Sequence, residues 1–409
     1  MKVGIYQSYW GEVGGGQRYL AAVAEVLARS HDVEIVHHCD EFDPLATGQA
    51  MDVDLAAIAF RYIEPAERTT PQSRNPWMRL REEAEWCAEV SQPYDLFINC
   101  GNTVPFFCHA PRGVLITFFP ETSCDQFHGR ATKAWRRRSL AHRFVARAFH
   151  GVEWRRRFAG YQQVMTCSEY SRRWLGQLWS VKADVLYPPL RRGLSPKEKE
   201  PLILSVARFD GGRHKRQDLL VEAFKRLCDA GVAGWRLELV GSVARNDAAR
   251  TFVDSLRRSA ENYPVDIQAD LSADELRLRL ERAAMFWHAM GYGVDRKHEP
   301  GRLEHFGMVA TEAMATGCVP LLFDGGGLPE SVCDGRHGFL WQDASELVAK
   351  TRRLIDDAEL RSRLSAASIG RAADFSQEKF EERLREVLSP VLRFPRVRRA
   401  AERLANATA

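Results

Sequence analysis

Four charged side chains in the second half of the sequence are the strongest candidates for chemistry. Glu304 and Glu312 lie eight positions apart in EHFGMVATEAMATGCVP, a stretch otherwise rich in small and apolar residues. Arg208 follows the apolar run LILSVA, and Lys215 comes seven residues later. Two cations at the end of a strand suit a diphosphate, because the negative charge of a leaving diphosphate must be neutralised. Solvated surface charge is the alternative interpretation of both cations.

A helix is predicted to start at about Phe306, shortly after the first of these glutamates. The N–H groups near 307–309 would then have no acceptor within the helix, and Gly307 has no side chain that could block a ligand. Eight residues at helical rise span about 12 Å. We therefore expect Glu304 to contact a sugar, Glu312 a ribose, and the helix N-terminus the diphosphate between them. Alternatively, one glutamate stabilises the helix dipole and the other is buried or paired.

A glycine run opens the first predicted helix, directly after the first predicted strand. Gly15 and Gly16 would let the backbone approach a bound phosphate or sugar at the helix N-terminus. The spacing is not G-x-G-x-x-G, and no clear acidic residue follows about 20 positions later, where Asp40 and Glu41 are no more than candidates, so a dinucleotide site is weakly supported. The loop is therefore interpreted either as a ligand contact or as a structural turn.

Strand and helix patterns alternate through both halves, which predicts an α/β protein with parallel sheets covered by helices. The predicted strands lie at 2–6, 33–36, 95–99, 114–118, 202–206, 235–240, 265–267, 285–288, 319–323 and 338–341. A chain of 409 residues exceeds one ordinary core. We therefore expect two Rossmann-like, doubly wound domains facing a cleft, with the ligand beyond the carboxyl ends of the strands.

Domain boundaries are predicted from composition. The polar, proline-containing segment RRGLSPKEKEP at 191–201 has the character of a linker. We therefore expect an N-terminal domain at 1–192 and a C-terminal domain at 193–375. Residues 376–409 are predicted to form a helix and a tail that pack back on the N-terminal domain.

The composition, 45% hydrophobic and 27% charged residues, is that of a soluble globular protein. The most apolar stretch, 97–120, is interrupted by Pro105, Pro111, Arg112 and Gly113, so it does not predict a membrane-spanning helix. No signal peptide is recognised at MKVGIYQ. Nine cysteines without C-x-x-C spacing favour reduced thiols over a disulfide frame or a zinc site. We therefore expect a cytoplasmic protein.

Neither a metal nor another cofactor is predicted. The only D-x-D pattern, at 52–54, lies in the N-terminal half, away from the charged residues described above. Arg208 and Lys215 would supply the charge that a metal supplies in other sites. The HHC triplet at 37–39 follows a strand and is interpreted as structural. His288 is expected near the cleft, either in contact with the ligand or supporting residues that are.

Residues 130–158 carry ten Lys or Arg and a single acid, Glu153, with aromatic residues among them. One interpretation is a solvated helix face with ordinary core aromatics. The other is a surface for anionic lipid head groups or a phosphorylated acceptor, with Trp135 and Trp154 at the head-group level. No nucleic-acid-binding motif is recognised, so nucleic acid is not an expected partner.

Taken together, these motifs resemble the retaining GT-B glycosyltransferases of family four. The segment 304–341 is similar to that family's E-x7-E helix and the GG-x-x-E turn after it, and 205–224 is similar to its phosphate-binding strand and helix. FWHAMGYG at 286–293 and LWSVKADVLYPPL at 178–190 resemble bacterial members and the enzymes that add α-1,2-mannoses to a lipid-linked glycan. The likeness covers most of the chain and is most specific in its second half.

The resemblance implies a hexosyltransferase that retains the anomeric configuration and needs no metal. The C-terminal domain would bind a nucleotide-sugar donor, and the N-terminal domain a glycan or lipid-linked acceptor. Arg208 and Lys215 match the family's diphosphate-binding cations, Glu304 its sugar-side glutamate, and Glu312 its ribose-side glutamate. Further donor contacts would come from the backbone of Gly15, Gly16, His305, Phe306, Gly307, Met308 and Val309.

The resemblance also leaves alternatives open. It favours GDP-mannose as donor and a UDP-sugar next, on a cytoplasmic protein that associates peripherally with the inner membrane face. Many family members carry a histidine at the end of the strand that reads VLITFFP here, where this chain has Thr117, Phe118 and Phe119; His109 is not at the matching position. Another GT-B enzyme, such as an epimerase or phosphorylase, and a non-catalytic sugar-nucleotide- or glycan-binding protein are the alternative functions.

Overall fold

The computed structural model describes residues 1–8, 10, 14–39, 43–65, 75–121, 151–212 and 214–393. Within these ranges the chain forms two parallel β-sheets, one of seven strands and one of six, with helices in most of the connections. This confirms the predicted α/β class and its two Rossmann-like, doubly wound sheets.

The first sheet has the strand order β3-β2-β1-β4-β5-β6-β7, and its neighbouring strands run parallel. Its members are β1 (Lys2–Tyr6), β2 (Asp32–His37), β3 (Ala59–Tyr62), β4 (Leu96–Cys100), β5 (Arg112–Ile116), β6 (Gln163–Thr166) and β7 (Asp184–Val185). All five residues of β4, LFINC, are buried, as expected for a central strand of a parallel sheet. The order reverses between β1 and β4.

The second sheet has the strand order β10-β9-β8-β11-β12-β13, again with parallel neighbours. Its members are β8 (Glu200–Val206), β9 (Arg236–Gly241), β10 (Val265–Ala269), β11 (Ala283–His288), β12 (Val319–Phe323) and β13 (Phe339–Trp341). The six residues of β11 and the five of β12 are all buried. The order reverses between β8 and β11, and such a switch point is where doubly wound sheets bind their ligands.

The helices have sequence signals at their starts. Ser272 caps one of them: its hydroxyl accepts the N–H of Glu275, and the Glu275 carboxylate accepts the N–H of Ser272 in return. The α-helices of the described ranges include Gly15–Ala28, Pro44–Met51, Pro76–Ser91, Glu169–Trp179, Gln217–Asp229, Asp247–Ser259, Ala273–Arg282, Met308–Ala315, Ala344–Asp356, Ala358–Ala372 and Gln377–Arg393. Residues 151–158 are also helical.

The chain divides into two compact units. The first comprises Met1–Cys167, Ser171–Leu186 and Glu381–Ala409, and the second comprises Ser168–Tyr170 and Tyr187–Phe380. Within the first unit, the C-terminal helix is tied to the sheet: Arg112 Nε donates to the Val391 carbonyl at 3.1 Å, and Arg383 pairs with Asp184 at 3.2 Å.

Residues 151–158 are the described part of the basic stretch 130–158, and they correct the prediction that Trp154 lies at a membrane surface. Trp154 is only 8% exposed and packs in a core cluster with Trp179, so it cannot lie at the head-group level of a lipid surface. Arg157 is buried and paired with Glu83 and Glu153, both within 2.8 Å. These side chains are structural, whereas the predicted role of 130–150 falls outside the described residues.

None of the helices in the described ranges combines the length and the apolarity that a bilayer crossing requires.

Candidate functional site

The carboxyl edge of the second sheet carries most of the predicted site. Arg208 follows the end of β8 by two residues, and His288 is the last residue of β11. These two strands are neighbours at the point where the strand order reverses. The predicted phosphate-binding strand therefore ends at the switch point of its sheet, where a ligand is expected.

Lys215, Glu304 and His288 form a hydrogen-bonded cluster at this edge. Lys215 Nζ lies 2.8 Å from Glu304 Oε2, and His288 Nε2 lies 3.3 Å from the same oxygen. Lys215 Nζ also contacts Met290 Sδ at 2.8 Å. The structure thus brings together one predicted cation and one predicted glutamate, with the histidine of FWHA between the sheet and the carboxylate.

The electrostatics of the cluster favour an ionised glutamate. Burial alone would raise the pKa of Glu304, but the Lys215 charge and the His288 hydrogen bond together lower that pKa well below its usual value. Lys215 and Glu304 keep 24% and 18% of their side-chain surface exposed. A partly accessible cation–carboxylate pair can exchange one of its contacts for an entering ligand.

Glycines allow the loop that carries Glu304 to pack against its neighbour. A Cβ on Gly326 would lie 2.1 Å from the Glu304 carbonyl oxygen, and a Cβ on Gly327 would lie 2.0 Å from the His305 carbonyl oxygen. The Gly327 N–H donates to the Glu304 carbonyl at 2.8 Å. The run GGG therefore fixes the backbone on which Glu304 stands, because no larger residue could approach so closely.

Gly307 turns the chain into the helix Met308–Ala315. Its φ is +91°, and a Cβ there would lie 2.6 Å from Leu328 Cδ2, so both backbone conformation and space favour glycine. The helix starts at Met308, two residues later than predicted, because this left-handed residue interrupts helical geometry. Glu304 therefore lies outside the helix, and the 12 Å estimate at helical rise does not describe its distance to Glu312.

The other residues predicted around this turn differ in exposure. Met308 and Val309 are half-buried, whereas Phe306 is buried and its ring lies 5.4 Å from that of Tyr187. His305 donates through Nε2 to the Gly301 carbonyl at 3.1 Å, and burial lowers its pKa. Glu312 is only 1% exposed. The backbone at 308–309 is therefore more accessible than the Glu312 carboxylate.

Arg208 is exposed at the same sheet edge, and its backbone is held by a residue that sequence analysis did not single out. Gln217 is 2% exposed, and its amide nitrogen donates to the carbonyls of Ala207 at 3.3 Å and Arg208 at 3.1 Å. In the sequence, Gln217 is recognisable only as the polar first residue of a helix with an apolar face, and that pattern does not reveal its bonds to the strand end.

Glu330, the acid of the GG-x-x-E turn, also has a defined place. Its carboxylate accepts the N–H groups of Glu169 at 2.8 Å and Tyr170 at 2.6 Å, and the Tyr187 hydroxyl at 3.1 Å. Burial raises the pKa of Glu330. These bonds order the backbone at Glu169 and Tyr170, which gives Glu330 a structural role that the quoted motif did not reveal.

Gly15 and Gly16 lie in the first unit, at the start of the helix Gly15–Ala28. A Cβ on Gly16 would lie 2.9 Å from Phe118 Cε2. Close packing against Phe118 therefore restricts this position to a very small residue, whether or not the loop also approaches a ligand.

The described ranges contain no group of three or more His, Cys, Asp or Glu side chains arranged to hold a metal ion. Asp52, with φ +57°, ends the helix Pro44–Met51, and Asp54 accepts the N–H of Ala56 at 2.9 Å. His38 bonds to the Tyr6 hydroxyl at 2.8 Å and to the Ile63 carbonyl at 2.7 Å.

Comparison with known sequences identifies the region that contains this cluster. The family model described as Glycosyl transferases group 1 matches residues 188–371. The GDP-Man:Man(3)GlcNAc(2)-PP-Dol alpha-1,2-mannosyltransferase of Homo sapiens is 27% identical over 244 residues, which are 53% of this chain and 46% of that protein. The glycogen synthase of Chlorobium phaeobacteroides is 27% identical over 209 residues, 48% of this chain and 39% of that protein. The matched parts are less than half the length of these relatives.

Comparison with solved structures extends over nearly the whole chain. A glycosyltransferase from Rickettsia africae has a TM-score of 0.68 at 15% identity and covers 96% of this chain and 99% of its own. Anabaena Alr3699/HepE in complex with UDP and glucose has a TM-score of 0.65 at 16% identity and covers 95% and 100%. At these identities the likeness establishes the fold alone, and it confirms the predicted GT-B fold.

Proposed function

Because residues 188–371 match the family model of the glycosyl transferases group 1, we propose that the protein transfers a sugar from a nucleotide-sugar donor to an acceptor hydroxyl. The observation that carries this proposal is the Lys215–Glu304–His288 cluster at the switch point of the second sheet. There Lys215, a cation that can bind a phosphate, directly contacts Glu304, an ionised carboxylate that can accept hydrogen bonds from sugar hydroxyls.

Each group in this proposal has a separate task. Lys215 and Arg208 neutralise the diphosphate, together with the N–H groups at 307–309, whose position at a helix start favours an anion. Glu304 accepts hydrogen bonds from hydroxyls of the donor sugar. Glu312 is proposed to accept hydrogen bonds from the ribose, which requires its buried carboxylate to become accessible on binding.

Backbone groups complete the proposed donor site. His305, Phe306, Gly307, Met308 and Val309 form one continuous segment around the start of the helix Met308–Ala315, and we propose that they contact the donor through main-chain atoms. Gly15 and Gly16, in the first unit, are proposed to approach the donor as well. Glycine at positions 15, 16 and 307 leaves the main chain there without a side chain that could block the donor.

The proposed transfer retains the anomeric configuration. The bond between the anomeric carbon and the diphosphate oxygen breaks, and its electron pair leaves with the diphosphate. The acceptor hydroxyl forms the new bond from the face that the diphosphate leaves, and its proton passes to the departing phosphate oxygen. Preorganised cations lower the barrier because they stabilise charge that develops only as the diphosphate departs.

The proposed substrates follow from the relatives rather than from the cluster. GDP-mannose is the first proposed donor, since the human relative is named as a GDP-Man alpha-1,2-mannosyltransferase, and a UDP-sugar is the second, since a structural neighbour was solved with UDP and glucose. The proposed acceptor is a glycan or a lipid-linked glycan. A cytoplasmic location with peripheral attachment to the inner membrane face is part of the same proposal.

The test is turnover with a panel of nucleotide sugars and glycan or lipid-linked acceptors, followed by analysis of the product anomer. Release of nucleoside diphosphate with formation of a glycoside of unchanged anomeric configuration supports the proposal. A requirement for inorganic phosphate would instead indicate a phosphorylase, and conversion of the donor sugar without an acceptor would indicate an epimerase. Binding without any turnover would indicate a non-catalytic sugar-nucleotide-binding protein.

A further inference from the structure

His288 is a buried polar ring at the end of an otherwise apolar strand. It is 5% exposed, and the residues before it in β11, AAMFW, are buried and apolar. A polar group in such a place is costly unless its hydrogen bonds are satisfied. The ring therefore stays in this position because of the contacts that its two nitrogens make.

The two ring contacts define the tautomer of His288. The Met290 N–H lies 3.4 Å from Nδ1 and can only donate, so Nδ1 accepts. In the neutral ring the proton is then on Nε2, which lies 3.3 Å from Glu304 Oε2 and donates to it. The backbone at Met290 thus selects the tautomer that presents a donor to the carboxylate.

Glu304 is anchored through one oxygen only. Both Lys215 and His288 contact Oε2, whereas Oε1 receives no hydrogen bond from any residue in the described ranges. A carboxylate fixed in this way presents its second oxygen in one direction. Of its two anchors, Lys215 is a partly exposed cation and His288 a buried imidazole donor.

We propose that His288 is the positioning residue that holds Glu304 through Oε2 so that Oε1 faces the hydroxyls of the donor sugar. The inference rests on the proposed glycosyl transfer. When Lys215 turns to the diphosphate, its bond to Glu304 weakens, and the His288 bond then keeps the carboxylate oriented. His288 itself contacts neither the diphosphate nor the sugar.

The test compares His288→Leu, which removes the donor, with His288→Gln, whose amide reaches the region of Nε2, and His288→Asn, whose amide reaches only the region of Nδ1. His298→Leu is the matched control, because this histidine has 73% of its side chain exposed and its ring pairs with nearby Asp295, outside the cluster. Thermal melting establishes that each variant is folded. The readouts are kcat and KM for the donor, and calorimetric affinity for GDP and UDP, which lack the sugar.

We expect His288→Leu and His288→Asn to lower kcat by about 10- to 100-fold, as for loss of a hydrogen bond to a charged group. His288→Gln should recover most of this loss, and His298→Leu should behave as wild type. Affinity for the sugar-free nucleotides should change by less than about twofold, within ordinary additivity error. In a Glu304→Gln background, His288→Leu should cause no further loss, because His288 acts through that carboxylate.

Several outcomes would overturn the assignment of His288 alone. Wild-type kcat in folded His288→Leu, equal loss in the Gln and Asn variants, or a parallel loss of GDP or UDP affinity would each do so. An additive effect in the Glu304→Gln background would also do so. Failure of the proposed function is distinguishable, because the wild-type protein would then turn over none of the nucleotide sugars.

Discussion

Replacing Lys215 by Met separates the structural role of this lysine from its proposed catalytic role. Lys215 Nζ lies 2.8 Å from Glu304 Oε2, and the side chains are 24% and 18% exposed. The pair is intermediate between an exposed pair, worth about 1 kcal/mol or less, and a buried pair, whose rupture costs about 3–5 kcal/mol. We therefore expect Lys215→Met to lower the free energy of unfolding by about 2 kcal/mol.

The same variant should lose far more activity than stability. A loss of about 2 kcal/mol lowers Tm by about 4–8 °C in a unit of this size, so the protein remains folded at 25 °C. Turnover should fall by about 10²- to 10³-fold, because a preorganised charge for the leaving diphosphate is removed. Adding Glu304→Gln removes the uncompensated carboxylate, and we expect that double variant to regain stability but not turnover.

The assay is donor turnover at saturating donor and acceptor, combined with thermal melting. Lys225→Met is the matched control: this lysine also pairs with a glutamate, Glu222, at 2.9 Å, but it stands on the helix Gln217–Asp229 rather than in the cluster. It should leave turnover unchanged. Turnover of folded Lys215→Met close to that of wild type would refute the assignment, and so would recovery of turnover in the double variant with Glu304→Gln.

Four further predictions follow from the same groups. EDTA should leave most activity, since cationic side chains are proposed to neutralise the diphosphate; complete loss restored by Mn²⁺ or Mg²⁺ would contradict this. Gly307 has φ +91°, and a Cβ there would lie 2.6 Å from Leu328 Cδ2, whereas Gly335 has φ +73° and no atom within 4 Å of an added Cβ. Gly307→Ala should therefore weaken nucleotide binding and lower Tm more than Gly335→Ala. Equal effects would exclude the clash with Leu328 as the cause. Because the folded-state pKa of Glu304 is lowered, the stabilisation by its ionised carboxylate should be complete above pH about 4.3 and be lost as pH falls through the lowered value. The melting temperatures of wild type and Glu304→Gln should therefore converge as the pH is lowered. A difference that stays constant with pH would contradict this role of the Glu304 carboxylate. Co-sedimentation with anionic liposomes should occur at low salt and weaken at high salt, because polybasic attraction is screened; recovery in the supernatant under every condition would remove the membrane proposal.

The sequence could predict the central strands because they are buried on both faces and apolar throughout. The strand predicted at 319–323 is β12 itself, and that at 2–6 is β1. The missed strands are β3, β6 and β7, which contain only two to four residues each. β3, with the exposed and half-buried residues AFRY, has no apolar run, and β7 contains only two residues, so neither carries a pattern that periodicity can detect.

The candidate site was only partly predictable for a similar reason. The ends of parallel strands meet at one edge, so Arg208 and Lys215 could be assigned to the ligand side of the sheet. The ion pair of Lys215 with Glu304 joins residues 89 positions apart and depends on how loops close beyond β8 and β11. The same holds for His288, whose partner is determined by three-dimensional packing rather than by any local pattern.

The basic stretch illustrates a limit of composition. Ten cations with interleaved aromatics left two interpretations open, a solvated helix face with core aromatics or a surface for anionic groups. In the structure Trp154 is a core residue and Arg157 a buried partner of two glutamates. Charge counts do not distinguish an exposed arginine from one that is buried in ion pairs. Glu153 lies four residues before Arg157, but Glu83 comes from a separate segment of the chain, so the sequence around Arg157 could not reveal both partners.

The most direct test of the central claim is a crystal structure of the protein with GDP or UDP, whichever binds more tightly by calorimetry. The diphosphate should lie about 3 Å, hydrogen-bond distance, from Lys215 Nζ and from the N–H groups at 307–309, with the Arg208 side chain directed towards it. Glu304 should keep its bond to His288. A diphosphate bound elsewhere, or nucleotide affinity unchanged in Lys215→Met, would contradict the donor site proposed around Lys215 and Glu304.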